Sequence, residues 1–183
     1  MYPSANSQPG NLRRFFAGLT EYAFGTRLGV ADTALVEYLG DLLTRFVRSD
    51  AIFSVRNLRG RRLDAVADML AEAEARVGEA RRAVHRHIGD FTLFWTGLYP
   101  EALEHFQRGP RKDFFLDYCE HGKRAYYIAS TIPTSDDKLD ENALLERLSH
   151  EFELCVYGLG EVRREWERRD QDGDRPGKPF MIE

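Results

Sequence analysis

β-Branched residues are scarce in this chain: valine, isoleucine and threonine number 9, 5 and 8, together 22 of 183. That is thin for a sheet protein, which relies on such residues along its strands. Proline is missing between Pro9 and Pro100. A proline inside a helix costs about 3 kcal/mol, so consecutive helices leave gaps of this kind. Cysteine is nearly absent. Cys119 and Cys155 lack any Cys-x-x-Cys spacing and read as reduced core thiols rather than a disulfide framework. Unbroken apolar runs stop at about five residues, as from Ala125 to Ala129, where a membrane span needs roughly 18. The polar segment Met1 to Asn11 lacks the basic start and apolar centre of a secretion signal. The expected location is therefore the cytoplasm. Several catalytic signatures are also missing: the nucleophile elbow Gly-x-Ser-x-Gly, the phosphate loop, the dinucleotide fingerprint and the zinc motif His-Glu-x-x-His. A net charge of −4 argues against a generic polyanion binder, and nucleic acid is not an expected partner.

Leucine, alanine, arginine and glutamate are plentiful, and all are good helix formers. At about 150 residues per domain, the length fits one domain. The fold class expected is all-α: a multi-helix bundle with one long central helix, kinked or broken at a glycine. The helical domain is expected over 12–169, with flexible ends at 1–11 and 170–183. Helices are predicted over 12–26, and from the N-cap Asp32 to about Arg48. A short one follows over 100–107, then others over 112–131 and 139–169. Between them, Leu63, Val66, Leu70, Ala73, Val77, Ala80, Val84, His87, Phe91, Phe94 and Leu98 step alternately by three and four. That is a heptad seam, with Gly78 and Gly89 as its weak points. Gly89 and Gly97 imply close backbone packing or a kink. The seam of 112–131 carries small residues at Gly122, Ala125 and Ala129, where a neighbouring helix can come close.

Chemistry-bearing residues are few. Three histidines follow an acid by four positions, in the pairs Glu101–His105, Asp117–His121 and Glu146–His150. Helical phase turns Glu146–His150 toward solvent and sets Asp117–His121 beside its seam, so all three read as surface pairs, which contribute a few tenths of a kcal/mol. His87 differs, because it occupies the seam. A buried histidine needs a partner, and Asp90 stands three residues on. Such a pair serves equally as a satisfied polar layer or as part of a ligand site. Trp95 and Tyr99 lie off the seam and need a second surface: a helix layer, a dimer partner or an apolar ligand. Arg56, Arg59, Arg61 and Arg62 form a basic loop before a helix N-terminus, a physically reasonable place for an anion. Asp170, Asp172 and Asp174 alternate around Gly173, but the twelfth-position glutamate of a calcium loop is missing. Phe180-Met181-Ile182 reads as an apolar end on a flexible spacer.

Gly89-Asp90, Leu93-Phe94, Gly97 and Leu103, followed by Gly122 and Ala125-Tyr126, resemble an uncharacterised family of bacterial all-helical proteins. Their shared segment reads Gly-Asp-x-x-Leu-Phe/Tyr-x-x-Gly. The resemblance covers roughly residues 30 to 130 and implies no activity and no catalytic residue.

The leading functional expectation is a cytoplasmic interaction or regulatory module that self-associates as a homodimer, with Trp95 and Tyr99 in the interface. One alternative is a metal- or cofactor-binding bundle using His87 and Asp90, joined by Cys119 or His121. A second is a phosphate or nucleic-acid binder acting through the Arg56 to Arg62 loop. No cofactor is assigned.

Overall fold

A computed structural model describes residues 9–47, 49–52, 54–57, 59–103, 111–135 and 138–171. His105, the end of the helix expected over 100–107, and the tail beyond 171 lie outside them. α1 (Pro9–Thr20) runs on into a π-helical stretch, Glu21–Arg27, which turns Phe24 into the core. α2 (Thr33–Phe46) starts where expected, with the Asp32 carboxylate accepting the Leu35 N–H at 3.1 Å. Then come α3 (Ser49–Ile52), a loop, α4 (Val66–Glu74), α5 (Gly78–Leu98), a 3₁₀ turn (Pro100–Ala102), α6 (Arg111–Thr131), α7 (Leu139–His150) and α8 (Phe152–Gln171). Among the described residues the only strand-like feature is one antiparallel bridge between Arg56 and Arg62. The chain is an all-α bundle, and no described helix is long and apolar enough to cross a membrane.

The long seam breaks at Gly78, whose φ of 56° is cheap for glycine and strained for other residues. Its two halves, α4 and α5, pack against each other rather than running on as a rod. Val77 and Ala80 sit at the turn and are exposed. The seam of the last helix, from Leu145 to Trp166, is buried throughout. It is interrupted only at Glu151, between α7 and α8.

α5 is the centre of the molecule. Every residue from His87 to Leu98 is buried, because α2, α4, α6 and α8 all pack on it. A helix without a solvent face leaves no outside for off-seam residues. Trp95 is accordingly 4% exposed within the single chain, against Phe91, Phe94 and Tyr99. The half-buried Tyr99 ring lies 5.1 Å from the Arg163 guanidinium. Trp95 thus takes the helix-layer alternative and is corrected as an interface residue, whereas Tyr99 keeps part of its ring exposed.

Gly89 and Gly97 mark close packing, not a kink. A Cβ at Gly89 would sit 2.6 Å from the Tyr126 ring, and one at Gly97 2.7 Å from the Leu159 Cβ. Gly18, on an exposed part of α1, has no such neighbour within 4 Å. Gly18→Ala should therefore raise stability by about 0.5–1 kcal/mol through helix propensity. In Gly89→Ala overpacking outweighs the same gain, for a net loss of roughly 1–2 kcal/mol. Urea unfolding of both variants checks the opposite signs.

Candidate functional site

Asp90 is 1% exposed. A buried carboxylate is tolerable only if its oxygens are well paired. Here Oδ1 accepts the Tyr38 hydroxyl of α2 at 2.6 Å and the Tyr126 hydroxyl of α6 at 2.7 Å. Oδ2 accepts both terminal nitrogens of Arg45, at 3.2 and 3.1 Å. Four donors and no competing acceptor are what an ionised carboxylate needs. Burial beside this charge holds both phenols well above the ordinary tyrosine range.

The network continues outward. Arg86 Nε donates to the Tyr38 oxygen at 3.2 Å, and its guanidinium lies 5.4 Å from the centre of that ring. Arg86 also pairs with Glu141 of α7. One turn earlier, Arg82 is 2% exposed and donates to Asn142 Oδ1 at 3.1 and 2.9 Å. It also reaches Glu141 at 3.1 Å. Arg82, Arg86 and Asp90 thus form a polar stripe along α5 at a spacing of four.

This stripe forms one wall of a cleft of about 510 Å³, and Arg45, Arg56 and Arg76 line it from other elements. Five guanidinium groups face two carboxylates there, those of Glu79 and Asp90. Asp90 is fully engaged, and Glu79 pairs with Lys138 at 2.8 Å. Arg76 fastens the loop that carries Arg56. It forms a 2.8 Å ion pair with the buried Glu72 and donates to the Arg56 carbonyl at 2.8 Å.

His87 and Asp90 both line the cleft, but they do not pair with each other. The expected His87–Asp90 hydrogen bond is replaced by tertiary partners. His87 Nε2 lies 3.0 Å from the Ile52 carbonyl and Nδ1 3.3 Å from Ser54 Oγ. Residues three apart on a helix are neighbours, but here each side chain is taken up by other elements: Asp90 by Tyr38, Arg45 and Tyr126, and His87 by Ile52 and Ser54. The basic loop is divided. Arg56 joins the cleft, whereas Arg59, Arg61 and Arg62 lie exposed in the turn beyond it. Asn57 Oδ1 caps that turn by accepting the Arg59 and Arg61 N–H groups, both at 3.0 Å. Arg45, Arg76, Arg82, Arg86 and Ser54 were not anticipated. The four-residue spacing of Arg82, Arg86 and Asp90 was the available signal.

Of the remaining candidates, Cys119 and Cys155 are free and buried. Burial pushes their thiols up to about 11 and about 12, which makes them poor nucleophiles. His121 and His150 are exposed, as helical phase implied. Among the described residues, no three histidine, cysteine, aspartate or glutamate side chains converge as a metal site. Comparison with known proteins finds no matching family model, curated protein or solved structure.

Asp90→Asn should cost about 2 kcal/mol or more, because an amide group then faces Arg45. Tyr126→Phe should cost about 1 kcal/mol, and urea midpoints give both values. Burial also lowers the basicity of His85 and His87. The unfolded chain then takes up their protons first, so stability is full above pH about 6.5 and falls below it. Urea midpoints from pH 8 to 5 should trace that decline, and His87→Gln should flatten it.

Proposed function

We propose that this protein binds a small phosphate-bearing molecule in the cleft between α2, α5 and the α3–α4 loop. The observation that carries this reading is the gathering of five guanidinium groups on one cleft: Arg45, Arg76, Arg82 and Arg86 pair with Asp90, Glu72 and Glu141, whereas Arg56 forms no ion pair among the described residues. Planar guanidinium groups match phosphate oxygens in pairs and stay charged at any physiological pH. Several of them around one volume suit a group with three or four oxygens and up to two charges better than a single carboxylate. The volume of about 510 Å³ falls in the range of small-molecule sites.

Arg56 gives one hydrogen bond, from Nη1 to the Gly60 carbonyl at 2.9 Å, and keeps further N–H groups for a ligand. Arg45 and Arg86 are held by the Asp90 network, so little side-chain entropy remains to be lost on binding. The exposed turn of Arg59, Arg61 and Arg62 belongs to this reading only through its neighbour Arg56.

Pyrophosphate is the probe. At a hundred times its dissociation constant it should stabilise the fold by about 2.7 kcal/mol, read as a rise in melting temperature beyond that in sodium chloride of equal ionic strength. Arg56→Glu replaces an exposed side chain, so it should fold normally and weaken pyrophosphate at least tenfold. Equal shifts with pyrophosphate and salt would count against a phosphate site.

A further inference from the structure

Ser54 and His87 meet at the floor of the arginine cleft, and neither is needed by the Asp90 network. Ser54 is exposed to the cleft, whereas His87 is 8% exposed. The contacts of the ring fix its tautomer. The Ile52 carbonyl can only accept, so Nε2 carries the proton and donates it at 3.0 Å. Nδ1 is then left with a lone pair, 3.3 Å from Ser54 Oγ. A hydroxyl beside an imidazole nitrogen, with the other nitrogen held by a fixed acceptor, is the arrangement of an activated nucleophile. Separations somewhat beyond ideal are usual before substrate binds.

We propose that Ser54 and His87 form a nucleophile–base dyad that hydrolyses a phosphate monoester held by the cleft arginines, an activity that rests on the cleft being a phosphate site. In the first step the Ser54 Oγ–H proton passes to His87 Nδ1 as Oγ bonds to phosphorus. The bond from phosphorus to the ester oxygen breaks, and the His87 proton goes to the departing alcohol. In the second step water gives a proton to His87 Nδ1 and attacks phosphorus. The Ser54 oxygen leaves and takes that proton back. The sum is ester plus water giving alcohol plus phosphate, with no other reactant. Arg45, Arg56 and Arg86 face the charge that gathers on the phosphoryl oxygens, the main requirement of such a transfer.

The groups facing His87 suit a base. Phe46 of α2 and Phe91 of α5 flank the ring at 5.8 and 6.3 Å. Arg45 of α2 and Asp90 of α5 act on it with opposite signs, and burial keeps the ring neutral near pH 7. Arg56 faces the same cleft from the loop. The rate should therefore rise with pH along an acidic limb and level off once His87 is neutral.

The test uses the full chain with p-nitrophenyl phosphate and p-nitrophenyl butyrate, with pyrophosphate binding measured in parallel. The wild type should turn over the phosphate ester, and an acid quench should trap a phosphoryl adduct on the Ser54 peptide. Ser54→Ala should lower turnover by about a hundredfold or more and abolish the adduct while keeping pyrophosphate affinity. His87→Gln should lose turnover likewise, with helicity followed by circular dichroism. Turnover that is absent, or unchanged in Ser54→Ala, with pyrophosphate still bound overturns the dyad and leaves the cleft reading standing. Ser54-dependent turnover of the butyrate ester alone overturns the phosphate class. Loss of pyrophosphate binding in the wild type removes both readings.

Discussion

The structure depends on one buried charge. The Asp90 carboxylate sits in the stretch of α5, His87 to Leu98, that has no solvent face, and leaving it unpaired there would cost several kcal/mol. Its partners come from two other helices: Tyr38 and Arg45 on α2, and Tyr126 on α6. Any register of α2, α5 and α6 that moves one of these donors away exposes the full desolvation cost. A polar group of this kind can specify one packing among several that hydrophobic contact alone would allow. Gly89 belongs to the same constraint. Tyr126 can reach Asp90 because its ring lies where a side chain on residue 89 would be. The adjacent pair Gly89-Asp90 is therefore a single device, in which one residue makes the space and the next uses it.

The same charge organises the cleft. Tyr38 donates to Asp90 and accepts from Arg86, and Arg86 continues to Glu141 on α7. Hydrogen bonds in such chains polarise one another, and each fixes the orientation of the next group. The guanidinium groups are thus placed by the core, not by solvent. Arg45 has a further hold, its charge lying 5.7 Å from the centre of the Phe46 ring. A fixed wall of guanidinium groups follows from meeting the needs of a buried carboxylate, with Glu141 holding Arg82 and Arg86 from the far side.

Helix positions were legible in the sequence because amphipathic periodicity is local. The Asp32 cap, the α6 span and the Leu145 to Trp166 seam all appear as the spacing implied. The departures share one cause, the absence of a solvent face on α5 from His87 to Leu98. The off-seam position of Trp95 leaves a helix layer, a dimer partner and a ligand open, and on a central helix the off-seam direction is inward. His87 and Asp90 were paired because they are neighbours in sequence, yet in a crowded core the nearest partners belong to other elements. Arg82 escaped notice because arginine is almost never fully buried unless paired, and its partners Asn142 and Glu141 lie far along the chain. The Arg56 to Arg62 loop was half-legible. Its charge could be counted, but a backbone turn decides which of its four arginines faces the cleft.

The α3–α4 loop is an exposed segment held in a fixed place by a helical core. Its polar groups face solvent or the cleft, but Val55 and Leu63 are 8% and 3% exposed and anchor it to the core. The Leu63 N–H donates to the Val55 carbonyl at 3.0 Å, and Arg76 clamps the Arg56 carbonyl from the turn after α4. Ser54 and Arg56 flank the Val55 anchor, so residues two apart place a hydroxyl and a guanidinium on one cleft. Functional groups tend to lie on loops held by rigid scaffolds, because a helix face at the centre of a bundle is consumed by packing. Here the scaffold is α5, which commits its buried faces to the core and offers one polar stripe. The loop then brings Ser54 and Arg56 to that stripe, beside His87 of the same helix.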